Sequence, residues 1–310
     1  MSVLRQQAEE YLAIRRCLGF KLDDHGRLLS QFADYLDGLG SSVIRTDQAV
    51  AWAQSTAHPS HFRHKQRLSV VRGFAQYLRT IDADTEVPGK DLLPVRQSRL
   101  VPYLYSPDEV RGLMAATKSL SNLSPLSATT YEALIGLLAT TGMRVGEAVG
   151  LDRSDVDLPA RLLVVRCSKN AKSRQLPLHT TTVAALQEYV QRRDRLCSRP
   201  KSLSFFVTLR GNRPSQGAFM AAFARARRET GLDARQRHRP PRPHDLRHTF
   251  VLRALLNWYR AGADVQAQLP LLSTFLGHVD PKSTYWYFEA APELLAMAAQ
   301  RVEHAWEHLP

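Results

Sequence analysis

Between Pro243 and Glu289 the sequence sets out side chains able to work on a phosphate diester. His244 and Arg247 stand three apart in Pro243-His244-Asp245-Leu246-Arg247-His248-Thr249, so a helix carrying both presents them on one face. Leu276-Gly277-His278 follows an apolar run, and a glycine that ends a helix would turn His278 back toward that face. Tyr287 comes nine residues after His278, in Ser283-Thr284-Tyr285-Trp286-Tyr287. Together these groups can hold a diester, move protons around it and attack it without a metal. A second guanidinium, Arg144, directly follows the helix stop Thr141-Gly142. Two arginines suit the two non-bridging oxygens of one phosphate, because each fork is planar and permanently charged. They count most when negative charge builds up in the transition state.

The remaining proton must come from a cation that can give one up. A hairpin is expected where Leu162 to Val165 faces Leu176-Pro177-Leu178 across the basic tip Ser168-Lys169-Asn170-Ala171-Lys172-Ser173-Arg174. A lysine there, Lys169 or Lys172, could protonate a departing 5′ oxygen if neighbouring cations lower its pKa. His244 and His278, with ordinary pKa values near neutrality, can divide between them proton acceptance and hydrogen-bond donation. Each block also has a plainer reading: a solvated basic face, a helix cap, packed aromatics. Their order and spacing favour the chemistry.

The elements that must carry these groups are mostly helical. Leu4, Ala8, Tyr11 and Leu12 have helical spacing before Gly19, and Leu28, Leu29, Phe32, Tyr35 and Leu36 repeat the pattern before Gly40. Thr46 is expected to cap a short third helix. A fourth sets Phe62, Leu68, Val71, Phe74 and Leu78 against Arg63, Lys65, Arg67 and Arg72. These make a helical domain over residues 1–82, with residues 83–102 (Pro88, Gly89, Pro94 and Pro102, with Arg96 and Arg99) as a basic linker. A second domain, 103–310, opens on the capping box Ser106-Pro107-Asp108-Glu109. It continues through an apolar helix to Thr141-Gly142, the hairpin, a helix over 181–195, a short strand at Phe205-Phe206-Val207 and a helix over 215–230. A loop carrying Arg235, Arg237, Arg239 and Arg242 then leads into Pro243. Asn257 to Leu269 interrupts the apolar pattern. The fold class is therefore mainly α with a small β-sheet.

Composition narrows the class of partner. The 310 residues hold 42 Lys and Arg against 29 Asp and Glu, a net charge of +13, which favours a polyanion such as nucleic acid. Three cysteines with no C-x-x-C pair suggest neither a disulfide framework nor a zinc knuckle. The first ten residues lack the apolar core of a secretory signal, so the expected location is cytoplasmic.

Thr141-Gly142-Met143-Arg144-Val145-Gly146-Glu147, Lys169, His244-Asp245-Leu246-Arg247-His248-Thr249, Leu276-Gly277-His278 and Tyr287, in this order, resemble the tyrosine recombinases of the phage-integrase family. The likeness covers most of residues 105–290. It implies a helical core-binding domain and a mixed α/β tyrosine-recombinase catalytic domain clamped around double-stranded DNA. It also implies a site-specific recombinase that cuts and rejoins strands through a 3′-phosphotyrosine, needing neither metal nor cofactor. Arg144, Lys169, His244, Arg247 and His278 would activate the phosphate, Tyr287 would attack it, and Glu147 would support Arg144. The spacing from the first arginine selects Lys169 over Lys172, and the interval after His278 selects Tyr287 over Tyr285. DNA-backbone contacts are expected from Arg63, Lys65, Arg67, Arg72, Arg96, Arg99, Lys172, Arg174, Arg235, Arg237, Arg239 and Arg242.

The resemblance further implies assembly into a synaptic tetramer on DNA, with itself or with related recombinases. A terminal amphipathic helix over 293–309 would either pack on its own domain or, as the resemblance implies, dock on the neighbouring protomer. Three other readings compete. A type IB topoisomerase shares the chemistry, and a DNA-binding protein without chemistry would need no phenol at Tyr287. A zinc hydrolase built on His244, His248 and His278 would have Asp245 where H-E-x-x-H has its glutamate.

Overall fold

The computed structural model describes residues 2–20, 22–56, 60–93, 102–120, 123–166, 173–235 and 239–277. The chain divides into two compact units, Met1–Arg99 and Leu100–Pro310.

Among its described residues the first unit has four helices, α1 (Val3–Cys17), α2 (Asp23–Gly38), α3 (Thr46–Gln54) and α4 (His61–Leu78). Their apolar stripes meet in one core that includes Leu12, Leu29, Phe32, Leu36, Trp52, Leu68, Phe74 and Leu78. Burying each such side chain contributes about 1.5–3 kcal/mol, which is what holds short helices that would not persist alone. Thr46 is the first residue of α3 rather than its cap. The Glu86 carboxylate caps this helix from a distance, accepting from the Thr46 N–H at 2.8 Å and from Arg45 at 3.1 Å. Residues 85–93, within the stretch expected as linker, pack on this unit. Thr85 is buried, Val87 and Leu93 lie against the core, and Arg72 donates to the carbonyls of Pro88 and Gly89.

In the second unit α5 (Pro107–Ser119) begins at the expected capping box, with both of its reciprocal hydrogen bonds present. The next helix, α6 (Pro125–Thr141), is capped by Ser124 and buried on most sides through Leu126, Tyr131, Leu134, Ile135, Leu137 and Leu138. It stops at Gly142, whose φ of 61° is left-handed. A Cβ there would come within 2.7 Å of Phe250, so glycine is required both for the turn and for the close approach. A short α7 (Val145–Gly150) follows at once.

The sheet has strands β1 (Val156–Asp157), β2 (Leu162–Val165) and β3 (Arg174–Pro177), antiparallel in that order. Leu163 pairs with Leu176 and Val165 with Arg174. The hairpin is as expected, whereas β1 was not foreseen because two residues carry no period. The expected strand at 205–207 is not one. A single bridge joins Asp152 to Ser204, and Phe205 and Phe206 pack as core aromatics against Tyr189.

Four helices complete the described residues: α8 (Thr180–Leu196), α9 (Gln216–Glu229), α10 (Pro243–Arg260) and α11 (Val265–Leu276). The break in pattern after Asn257 is the turn at Gly262 between α10 and α11, which pack together through Val251, Leu255, Leu269 and Leu272. No described helix is long and apolar enough to cross a membrane.

Candidate active site

Three arginines of the second unit gather at the C-terminus of α11. A helix end leaves its last carbonyls without intrahelical partners, and they carry the negative end of the helix dipole. Here three successive carbonyls each accept from a different arginine. Arg174 Nε donates to Phe275 at 2.8 Å, Arg247 Nη2 to Leu276 at 2.8 Å, and Arg144 Nη2 to Gly277 at 3.0 Å. Arg247 Nη1 also donates to the Gly142 carbonyl at 2.7 Å, so one guanidinium ties the ends of α6 and α11 together. Gly277 itself has φ 67°, and a Cβ on it would meet Arg174 Nη1 at 2.7 Å.

Arg144 takes the N-cap position of α7. Glu147, in the first turn of that helix, accepts from the Arg144 N–H through Oε2 at 3.1 Å and from its Nη1 through Oε1 at 2.7 Å. The same carboxylate accepts Arg174 Nη2 on Oε2 at 2.7 Å and Nη1 on Oε1 at 3.2 Å. Burial works to raise the Glu147 pKa. The hydrogen bonds and charges of Arg174 and Arg144 more than offset it, and the net shift is downward. Glu147 is thus a fixed anion between two guanidiniums, and it holds Arg144 with its side chain 31% exposed.

His244 lies in the first turn of α10, whose start is pinned from two sides. The Tyr105 hydroxyl donates to the Arg242 carbonyl at 3.1 Å, and Arg227 donates to the Pro241 carbonyl at 2.8 Å. The helix begins at Pro243, so Arg247 lies in its second turn and is 2% exposed. His244 is exposed, yet its pKa is pushed down. Desolvation by the surrounding protein comes first, then the charges of Arg247, Arg144 and Arg239. Both effects favour the neutral imidazole, which can accept a proton or donate one hydrogen bond. His244 and His248 meet edge to face at 4.8 Å.

Asp245 does not turn toward those histidines. Its buried carboxylate accepts from Arg239 at 2.8 Å and from the Arg242 N–H at 2.8 Å, which closes the first turn of α10. Desolvation pushes its pKa up to about 6 against the lowering pull of Arg239. An acid so engaged stands apart from the arrangement that a zinc-hydrolase base would need.

Arg144, Glu147, His244 and Arg247 are therefore brought together from α7 and α10. Lys169, His278, Tyr285 and Tyr287, with the terminal helix over 293–309, lie outside the described residues. So do Arg96, Arg99, Lys172, Arg237 and the side chain of Arg235. Of the other expected DNA contacts, Arg63, Lys65 and Arg242 are exposed. Arg67 is stacked 3.8 Å over the Trp52 ring and donates to its carbonyl, while Arg239 is held by Asp245. Arg174 is 8% exposed, and all three of its guanidinium nitrogens are engaged by Glu147 and Phe275, so its side chain is directed inward. The strand's period of two carried this signal: Arg174 shares a face with buried Leu176 and lies opposite buried Val165.

The chain that builds this basic site, on one helix end and two helix starts, resembles known proteins. Residues 104–293 match the sequence model described as the phage integrase family. A putative integrase/recombinase of Sinorhizobium fredii, y4rB, is 40% identical over 99% of both chains. Tyrosine recombinase XerC of Alcanivorax borkumensis is 29% identical over 72% of this chain and 67% of its own length. Among solved structures, the Tn1549 transposon integrase in complex with transposon right end DNA has the same fold, with a TM-score of 0.66 at 17% identity over 96% of this chain and 98% of that one. XerH recombinase bound to its difH substrate, in a post-cleavage complex, gives 0.65 at 19% identity over 90% and 79%. From the matched residues and the near full-length likeness to an integrase/recombinase, the chain belongs to the phage integrase family of tyrosine recombinases.

Proposed function

We propose that this recombinase cuts double-stranded DNA at a specific site and rejoins it to a second one, with Tyr287 as nucleophile. The Tyr287 oxygen attacks the scissile phosphorus, the bond to the 5′ oxygen breaks, and a 3′-phosphotyrosine forms. A neutral imidazole, His244 or His278, accepts the phenolic proton, and Lys169 gives one to the departing 5′ oxygen. In the second half a free 5′ hydroxyl attacks the phosphotyrosine and the protons return. Arg144 and Arg247 face the two non-bridging oxygens and stabilise the charge that develops on them. The observation that carries this reading is the gathering of both guanidiniums at the C-terminal end of α11, Arg247 on the Leu276 carbonyl and Arg144 on that of Gly277, with His244 near enough to feel both charges.

The proposed division of labour gives core binding to the first unit, with residues 85–93 packed on it, and catalysis to the second. Arg63, Lys65 and Arg242 would contact the DNA backbone, self-association on DNA would give a synaptic tetramer, and the protein would work in the cytoplasm. A suicide DNA substrate tests the chemistry. Wild type should form a covalent adduct in EDTA without ATP, and Tyr287→Phe should lose it while still binding DNA, since phosphate contacts supply most of the affinity. An adduct that survives in Tyr287→Phe and disappears in Tyr285→Phe would move the nucleophile.

A further inference from the structure

We propose that Arg174 is a positioning residue for phosphate recognition, acting through Glu147 on Arg144. This rests on the reading of Arg144 as a phosphate-binding group. Arg174 is shielded from solvent with its guanidinium taken up within the protein, whereas Arg144 is partly exposed. Three of its nitrogens are engaged. Nε binds the α11 carbonyl of Phe275, while Nη1 and Nη2 grip both oxygens of Glu147. Glu147 in turn sets Arg144 by the backbone N–H and by Nη1. The fork of Arg174 therefore fixes a carboxylate plane, and the carboxylate fixes the direction of the second guanidinium. The absence of a side chain on Gly277 makes room for it. A lysine at 174 would keep the charge but could not span two carboxylate oxygens and a carbonyl from one nitrogen. Glu147 would then hold Arg144 with a plane no longer fixed, and a displacement of about 1 Å at a reacting centre can cost roughly a hundredfold.

The test compares two suicide substrates, one with an ordinary scissile phosphodiester and one with a neutral methylphosphonate that has no charged pair of non-bridging oxygens. The quantity read is the ratio of adduct-forming rates on the two, measured on one preparation, so that any unfolded fraction cancels. Arg174→Lys should slow the phosphodiester by roughly ten- to a hundredfold, with a much smaller loss on the methylphosphonate. Arg144→Ala should shift the ratio in the same direction. On the methylphosphonate, adding Arg174→Lys to Arg144→Ala should bring no further loss. Glu147→Gln, which keeps the shape and removes the charge, should shift the ratio as Arg174→Lys does. Equal losses on both substrates, or losses that multiply with those of Arg144→Ala, would make Arg174 only a packing residue and overturn the inference. If Arg144→Ala itself leaves the ratio unmoved, the phosphate role of Arg144 fails first, and the Tyr287→Phe adduct test is unaffected.

Discussion

The starts of α7 and α10 are built alike and behave oppositely. Each has an arginine at the N-cap and an acid three residues on that accepts the cap's N–H: Glu147 for Arg144, Asp245 for Arg242. Each acid also holds a guanidinium from another segment, Arg174 in one case and Arg239 in the other. At α7 the cap arginine turns its own side chain back onto the acid, so Glu147 has two guanidiniums and its pKa falls. At α10 the Arg242 side chain is exposed, one guanidinium faces a fully buried carboxylate, and the pKa rises to about 6. The difference teaches that the second cation decides whether such a box is a rigid anion or a titrating group. The rigid one sits under Arg144, and the titrating one closes the turn that carries His244.

The sharpest way to break this comparison is at the two caps. Arg144→Ala should lower the rate of adduct formation by about 10²–10³-fold, the cost typical of removing one donor to a developing oxyanion. Arg242→Ala, whose structural role uses only the backbone, should leave that rate within a few-fold and mainly weaken salt-dependent DNA binding. Comparable rate losses in both would show that the two boxes are not functionally distinct.

Removing the acids comes next. Glu147→Ala leaves buried Arg174 without its partner and should destabilise the second unit by about 3–5 kcal/mol, read by denaturant unfolding. Asp245→Asn removes a buried charge and leaves hydrogen-bonding groups, so at pH 7 it should cost far less. A greater loss for Asp245→Asn would invert the comparison.

The pH dependence separates the boxes by sign. With its pKa lowered on folding, Glu147 contributes stability that is present above the usual carboxylate range and is lost as pH falls through its folded value. Asp245 is raised from 3.8 to about 6, so its native form takes up a proton and its contribution declines as pH rises across that window. Melting temperatures of wild type should therefore fall relative to Asp245→Asn between pH 4 and 6, by the equivalent of at most about 3 kcal/mol. A wild type that gains on the variant over this window would mean that Arg239 outweighs burial.

The smallest effect is at two helix ends. Gly262 and Gly277 have φ values of 70° and 67°, but only Gly277 has Arg174 against it. Gly262→Ala should cost about 1 kcal/mol from the left-handed backbone alone. Gly277→Ala should cost more and also slow cleavage, because it displaces Arg174. Equal thermal shifts with unchanged cleavage would show that the contact is slack.

Much of this was legible along the chain. Apolar spacing placed the helices, the Ser106 box began α5 where expected, and Thr141-Gly142 and Leu276-Gly277 marked two helix ends. The order of the motif blocks was enough to point to the family, and side-chain types were enough to point to phosphate chemistry. Periodicity reports which side of an element is apolar, because it reflects geometry that repeats within a few residues. Which carbonyl an arginine meets is another matter. Arg247 reaches across 29 residues to Leu276, Arg174 across 101 to Phe275 and Arg144 across 133 to Gly277. Only the packing of α6, α7, β3, α10 and α11 brings those groups within reach. The same packing sets how many cations each acid meets and how dry it is, and so decided that Arg174 faces inward, Glu147 stays charged and Asp245 titrates near 6.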